Sequence, residues 1–147
     1  MSKASRPCDS LTAAVTLVLI IASSLASRPR AQDAPSSSGR SVLDGVYTAS
    51  QASRGREQFQ RTCMSCHSAG QHAGPKFGAK WQGSTIGDLF DLVSNTMPEG
   101  EPGSLKPEEY ASILAFFLSE SGYKEGDKEL PFDLEALRKI RIELLPR

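Results

Sequence analysis

The sequence predicts an all-α fold. Apolar residues recur at intervals of three and four in three separate stretches, which is the spacing of one helix face. No run of alternating apolar and polar residues is long enough to suggest a sheet. Between the first two helical stretches, residues 66–84 are rich in glycine and read as loop.

The first helix is expected at about 49–64. Thr48 can cap it, with Gln51 at the reciprocal capping-box position. Ala52, Gly55, Phe59 and Thr62 fall on one face. The second is expected at about 86–95. Thr85 and Asp88 form a box-like start, and Ile86, Leu89, Phe90 and Val93 make an apolar stripe. The third is expected at about 107–121. Pro107 suits the first helical position, where its missing N–H costs nothing. Glu108 and Glu109 favour the positive end of the helix dipole. Tyr110, Ile113, Leu114, Phe117 and Leu118 form the apolar face, and Gly122 fits the stop.

The rest of the chain frames this core. Lys3 and Arg6 precede an uncharged apolar run from Leu11 to Ala26, followed by small residues. Such a run is short for a membrane span of roughly 20 residues. It reads as a signal peptide over 1–31, cleaved near 26 or 31. The alternative is an uncleaved anchor. Residues 32–45 are rich in Ser, Pro and Gly and read as a flexible linker. The domain proper is expected at 46–122. The extension 123–147 starts charged and ends amphipathic, with Asp133 placed to cap a short helix. It is expected to pack back on the domain or to dock a partner.

The 147 residues balance 17 basic against 17 acidic side chains, so the composition gives no reason to expect a nucleic-acid partner. Beyond residue 31 the chain has 13 basic and 16 acidic residues, a net −3 that favours a basic docking partner. A core of roughly 77 residues buries only about 60% of its unfolded surface and needs a staple.

Cys63-Met64-Ser65-Cys66-His67 supplies one. Cys-x-x-Cys-His is the attachment pattern for a c-type haem. Two thiols three residues apart near a helix end can add to the two vinyl groups along one edge of the ring. The adjacent His67 then presents its imidazole to the iron. Covalent attachment suits an exported protein, so motif and leader support each other. Three other readings fit less well. A zinc site needs four ligands, and Cys63, Cys66, His67 and His72 are crowded together. A thiol–disulfide oxidoreductase would place the pair in a βαβ context. The third is a plain disulfide. Cys8 lies in the leader.

A second axial ligand separates electron carriers from gas-binding or peroxidatic haems. Met64 is inside the attachment loop, and His72 lies near His67 on the same side. Met97 follows the second helix in Asn-Thr-Met-Pro-Glu-Gly, in a loop that can cross the far face and that Pro98 stiffens. Met97 is therefore the expected second ligand, and thioether sulfur raises the potential. An open iron, with a weak Met97 bond, is the alternative.

With these residues the chain resembles the class I, monohaem c-type cytochromes over about 46–126. It is similar to those associated with periplasmic quinoprotein alcohol or sugar dehydrogenases. The resemblance rests on CxxCH, Met97-Pro98, Gly55 with Phe59, Gly74-Pro75, Trp81 with Gly83, Leu89-Phe90, and Tyr110 with Ala115-Phe116. It implies a small cytochrome c fold with three main helices and loops enclosing one covalent haem c. It further implies that Gly55 lets the first and last helices cross against Phe116. The Pro75 carbonyl would accept the Nδ1–H of His67, and Trp81 would contact the haem or a propionate. His72 and Lys76 are expected to be solvated. The function expected is periplasmic one-electron transfer, with no catalytic residue. Electrons would come from a dehydrogenase, such as a quinoprotein enzyme, and go to a terminal oxidase or another cytochrome. A dedicated subunit of a dehydrogenase complex is a further alternative. Membrane contact is expected only if the leader stays.

Overall fold

Helix α1, Ala49–Thr62, starts at Thr48, whose hydroxyl accepts from the Gln51 backbone N–H at 3.2 Å. The computed structural model describes residues 39–146. The expected signal peptide and most of the expected linker lie outside them. Helix α4, Ile86–Thr96, has the reciprocal box its sequence announced. Thr85 accepts from Asp88 N at 3.1 Å, and the Asp88 carboxylate accepts from Thr85 N at 2.8 Å. Helix α5, Pro107–Glu120, begins on Pro107 and stops at Gly122, whose φ of 85° is cheap only for glycine.

The core is the crossing of α1 and α5. From Tyr110 to Leu118 every α5 residue is buried. A Cβ added at Gly55 would stand 1.8 Å from the Ser112 carbonyl oxygen. Glycine is thus what lets the two backbones touch. The contact partner is the Ser112 backbone rather than the expected Phe116. Phe116 instead packs on Phe59, with ring centroids 5.7 Å apart, and the Arg56 guanidinium lies 5.0 Å from its centroid. Phe59 also meets Phe117 edge-on at 5.5 Å.

Three stretches differ from expectation. The Gly-rich loop holds two short helices, α2 (Ala69–His72) and α3 (Phe77–Trp81). One-turn helices are too short to show a repeating apolar period. The expected linker ends early. Arg40–Ser41 forms strand β1, parallel to strand β2 at Ile140–Arg141. A 3-10 turn follows at Val42–Asp44, with Val42 fully buried. Composition reads only local character and is blind to a partner 100 residues away.

Gln51 is the third difference. It is buried, and its amide pairs with the tail instead of closing a capping box. Nε2 donates to the Leu130 carbonyl at 2.8 Å, and Oε1 accepts from the Leu130 N–H at 2.7 Å. From there the extension wraps the domain. Asp133 caps helix α6, Leu134–Leu137, by accepting from Ala136 N at 2.9 Å. Helix α6 lies on α4, where a Cβ at Gly87 would stand 2.5 Å from Arg138 Cγ. Ile142 N then donates to the Ser84 carbonyl at 2.9 Å. Leu130, Leu137, Ile140 and Ile142 are all buried, so residues 123–146 complete the core.

Candidate functional site

Helix α1 ends by handing its last carbonyls to the cysteine motif. Cys63 N donates to Phe59 O at 2.8 Å, and the chain then turns so that His67 N reaches Cys63 O at 2.9 Å. The turn leaves Cys63 half-buried and Cys66 exposed, both as free thiols. Burial pushes the Cys63 thiol pKa up.

His67 follows at once, half-buried. Its Nδ1 lies 3.0 Å from Nε2 of His72, and the two rings stand nearly perpendicular, at 86°. His72 in turn stacks on Phe117 of α5 at 22° and 6.1 Å between centroids. Burial first, then the charges of His67 and Lys80, hold the His72 pKa below the usual histidine range. Two expectations are corrected here. His72 is not a solvated loop residue, because α2 folds it back over His67. The Pro75 carbonyl is not the observed partner of His67. Pro75 is exposed, and among the described residues the hydrogen bond at His67 Nδ1 goes to His72.

Met97 is placed by the end of α4. Its N–H closes the helix on Val93 O at 2.9 Å, and its own backbone turns extended. Its carbonyl accepts the Tyr110 hydroxyl at 2.7 Å, tying this loop to α5. The Met97–Pro98 bond is cis. Tyr110 is held by Phe90, edge-on at 6.1 Å.

Cys63, Cys66, His67 and Met97 all line one cleft of about 380 Å³. Phe59, Ile113 and Phe117 supply wall from α1 and α5. Leu89 and Val93 supply it from α4, and Phe77 and Trp81 from α3. Trp81 is half-buried there, with the Lys80 ammonium 5.3 Å from its ring centroid. The signal for His72 in the sequence was only its closeness to His67, and it took α2 to give that closeness a direction.

The donor set can be tested against what it would hold. Two thiols at the rim, an imidazole and a thioether within a mostly apolar cleft suit a large flat apolar group with a soft, redox-active metal. They do not suit zinc. Among the described residues, no three His, Cys, Asp or Glu side chains come close enough together to hold a metal ion. Nor, among those residues, is any helix long and apolar enough to cross a membrane.

The helical fold and this cleft have the form of a domain that could enclose a flat apolar cofactor. Residues 50–117, which span α1 to α5, match the family described as cytochrome c oxidase, cbb3-type, subunit III. No curated protein and no solved structure gives a match to the chain. The match supports a monohaem c-type cytochrome domain over those residues, and the mostly helical structure is that of the small all-α cytochrome c fold. Its cofactor is covalently bound haem c, and its chemistry is haem-based electron transfer.

Proposed function

We propose that the chain is an exported electron carrier whose haem is held by Cys63 and Cys66 and ligated by His67 and Met97. The observation that carries this reading is the convergence of those four residues on one apolar cleft. When bound, the haem supplies an iron that cycles between Fe(II) and Fe(III). The protein's part would be to keep both His67 and Met97 as ligands, so that neither oxidation state would need a new one. Cys63 and Cys66 would anchor the ring edge. His67 would ligate from the α1 side, and Met97 from the loop after α4, steadied by Tyr110. Phe59, Ile113 and Phe117 would keep water from one face and raise the potential by disfavouring the extra charge of Fe(III). Trp81 would line the ring or meet a propionate. No side chain is needed as general base or nucleophile, so the protein is a carrier rather than an enzyme.

Export by the leader would place the carrier in the periplasm. A dehydrogenase would be its donor, and a respiratory acceptor its outlet. The description of the matched family, an oxidase subunit, supports an outlet at a terminal oxidase.

The test is an optical spectrum of the oxidised, exported protein. A weak far-red band from methionine sulfur to ferric iron is expected, and it should vanish in Met97→Ala. A high-spin spectrum without that band, with rapid CO binding once reduced, would replace the carrier reading with an open-site haem.

A further inference from the structure

We infer that His72 is a positioning residue that orients His67 toward the haem, replacing a backbone carbonyl in that role. The inference rests on the proposed ligation by His67. Its basis is the 3.0 Å approach of His72 Nε2 to His67 Nδ1. With Nδ1 engaged, His67 has only Nε2 left to offer a metal, and its ring can no longer rotate freely.

His72 can hold this position because it is itself held from three sides. Helix α2 is closed by Ala73 N donating to Ala69 O at 2.9 Å, and Gln71 Oε1 accepts from Ser68 N at 2.9 Å. The next residue out, Gly74, donates its N–H to Ser121 Oγ at 3.0 Å, and that hydroxyl donates to Phe117 O at 2.6 Å. Phe117 also supplies the ring on which His72 stacks. The buried helix α5 thus fixes both the plane and the depth of the His72 imidazole.

The choice of partner has an electronic consequence. An imidazole nitrogen is a stronger base than an amide carbonyl oxygen. Accepting the Nδ1–H through nitrogen leaves more electron density on His67 and makes it a stronger donor. A stronger donor favours Fe(III), so the contact lowers the potential that Met97 and the apolar cleft raise.

The experiment uses the full chain, exported and haem-loaded. Covalent haem and the far-red band are checked first in the wild type. Their absence would count against the carrier reading and not against this one. His72→Phe keeps an aromatic ring for Phe117 but has no acceptor. It should shift the Fe(III)/Fe(II) equilibrium about tenfold toward Fe(II), an upward change of about 59 mV for one electron. His72→Gln, which can still accept, should recover most of that shift. A purely structural role would lower haem yield and melting temperature in both variants without separating their potentials. A wild-type potential in His72→Phe would overturn the inference. If His72→Phe does not load haem, the wild type still decides. Its ferrous form, labelled with 15N, should show scalar coupling across the hydrogen bond between His67 Nδ1 and His72 Nε2. Absence of that coupling would overturn the inference.

Discussion

The Tyr110 hydroxyl donates to the backbone carbonyl of Met97 at 2.7 Å, joining the middle of the core to the loop that carries the proposed distal ligand. The Tyr110 ring is buried, edge-on to Phe90, so its hydroxyl can point nowhere else without losing a partner. Tyr110→Phe should keep the ring packing and release Met97. We expect a loss of about 1 kcal/mol in unfolding free energy. We also expect a weaker far-red band and faster binding of CO to the reduced protein. A melt and a spectrum on the same sample separate the two effects. An unchanged band with a lowered melting point would make Tyr110 a core residue and nothing more.

Gly55→Ala should be far more damaging than its one methyl group suggests. The added Cβ would lie 1.8 Å from the Ser112 carbonyl oxygen, and both groups belong to helices that cannot shift alone. Overpacking of this kind costs about 3 kcal/mol or more. That is a large share of a small domain's stability. Denaturant unfolding of the haem-loaded protein should show the loss as a lower midpoint. A midpoint within error of wild type would mean that α1 and α5 separate easily.

The sequence was legible where signals are local. The Thr85–Asp88 box, Pro107 at the head of α5 and Gly122 at its end are short-range devices, and each is found as read. The Cys63–His67 motif needs only five consecutive residues. What was not legible is what depends on distance along the chain. Gln51 looked like a capping residue because its partner, Leu130, is 79 positions away. Residues 39–45 looked like linker because the strand that orders them is β2. His72 looked solvated because Phe117, which it stacks on, lies on another helix. In each case a polar or small residue was judged by its neighbours in sequence, and its burial was decided by a neighbour in space.

Gln51→Ala tests whether the extension is part of the domain. The substitution leaves the Leu130 N–H and C=O buried without their two bonds. We expect a loss of about 2 kcal/mol, from two buried groups left unsatisfied. Removing 127–147 should do more, because Leu130, Leu137, Ile140 and Ile142 would leave the core together. Both can be read from urea midpoints. A truncated chain that unfolds at the wild-type midpoint, yet is no longer reduced by its donor, would turn the extension back into a docking arm.

Acid should find the start of α4. Hydrogen bonds from the Thr85 backbone first, and its hydroxyl second, hold the Asp88 carboxyl below the ordinary aspartate range. A carboxyl with a lowered folded pKa stabilises the protein above its unfolded pKa. That contribution is lost as the pH falls through the folded one. Asp88→Asn can still accept from Thr85 N but carries no charge to lose. It should therefore unfold more easily than wild type at neutral pH, and the difference should close on acidification below the aspartate range. Thr85→Ala, which removes the cap itself, should cost about 1 kcal/mol at neutral pH. Other acidic groups, Glu143 among them, titrate in both proteins, so the difference between wild type and Asp88→Asn isolates this one. Paired urea titrations at neutral and strongly acidic pH measure it. A gap that stays constant between them would mean that the Asp88 charge does nothing for α4.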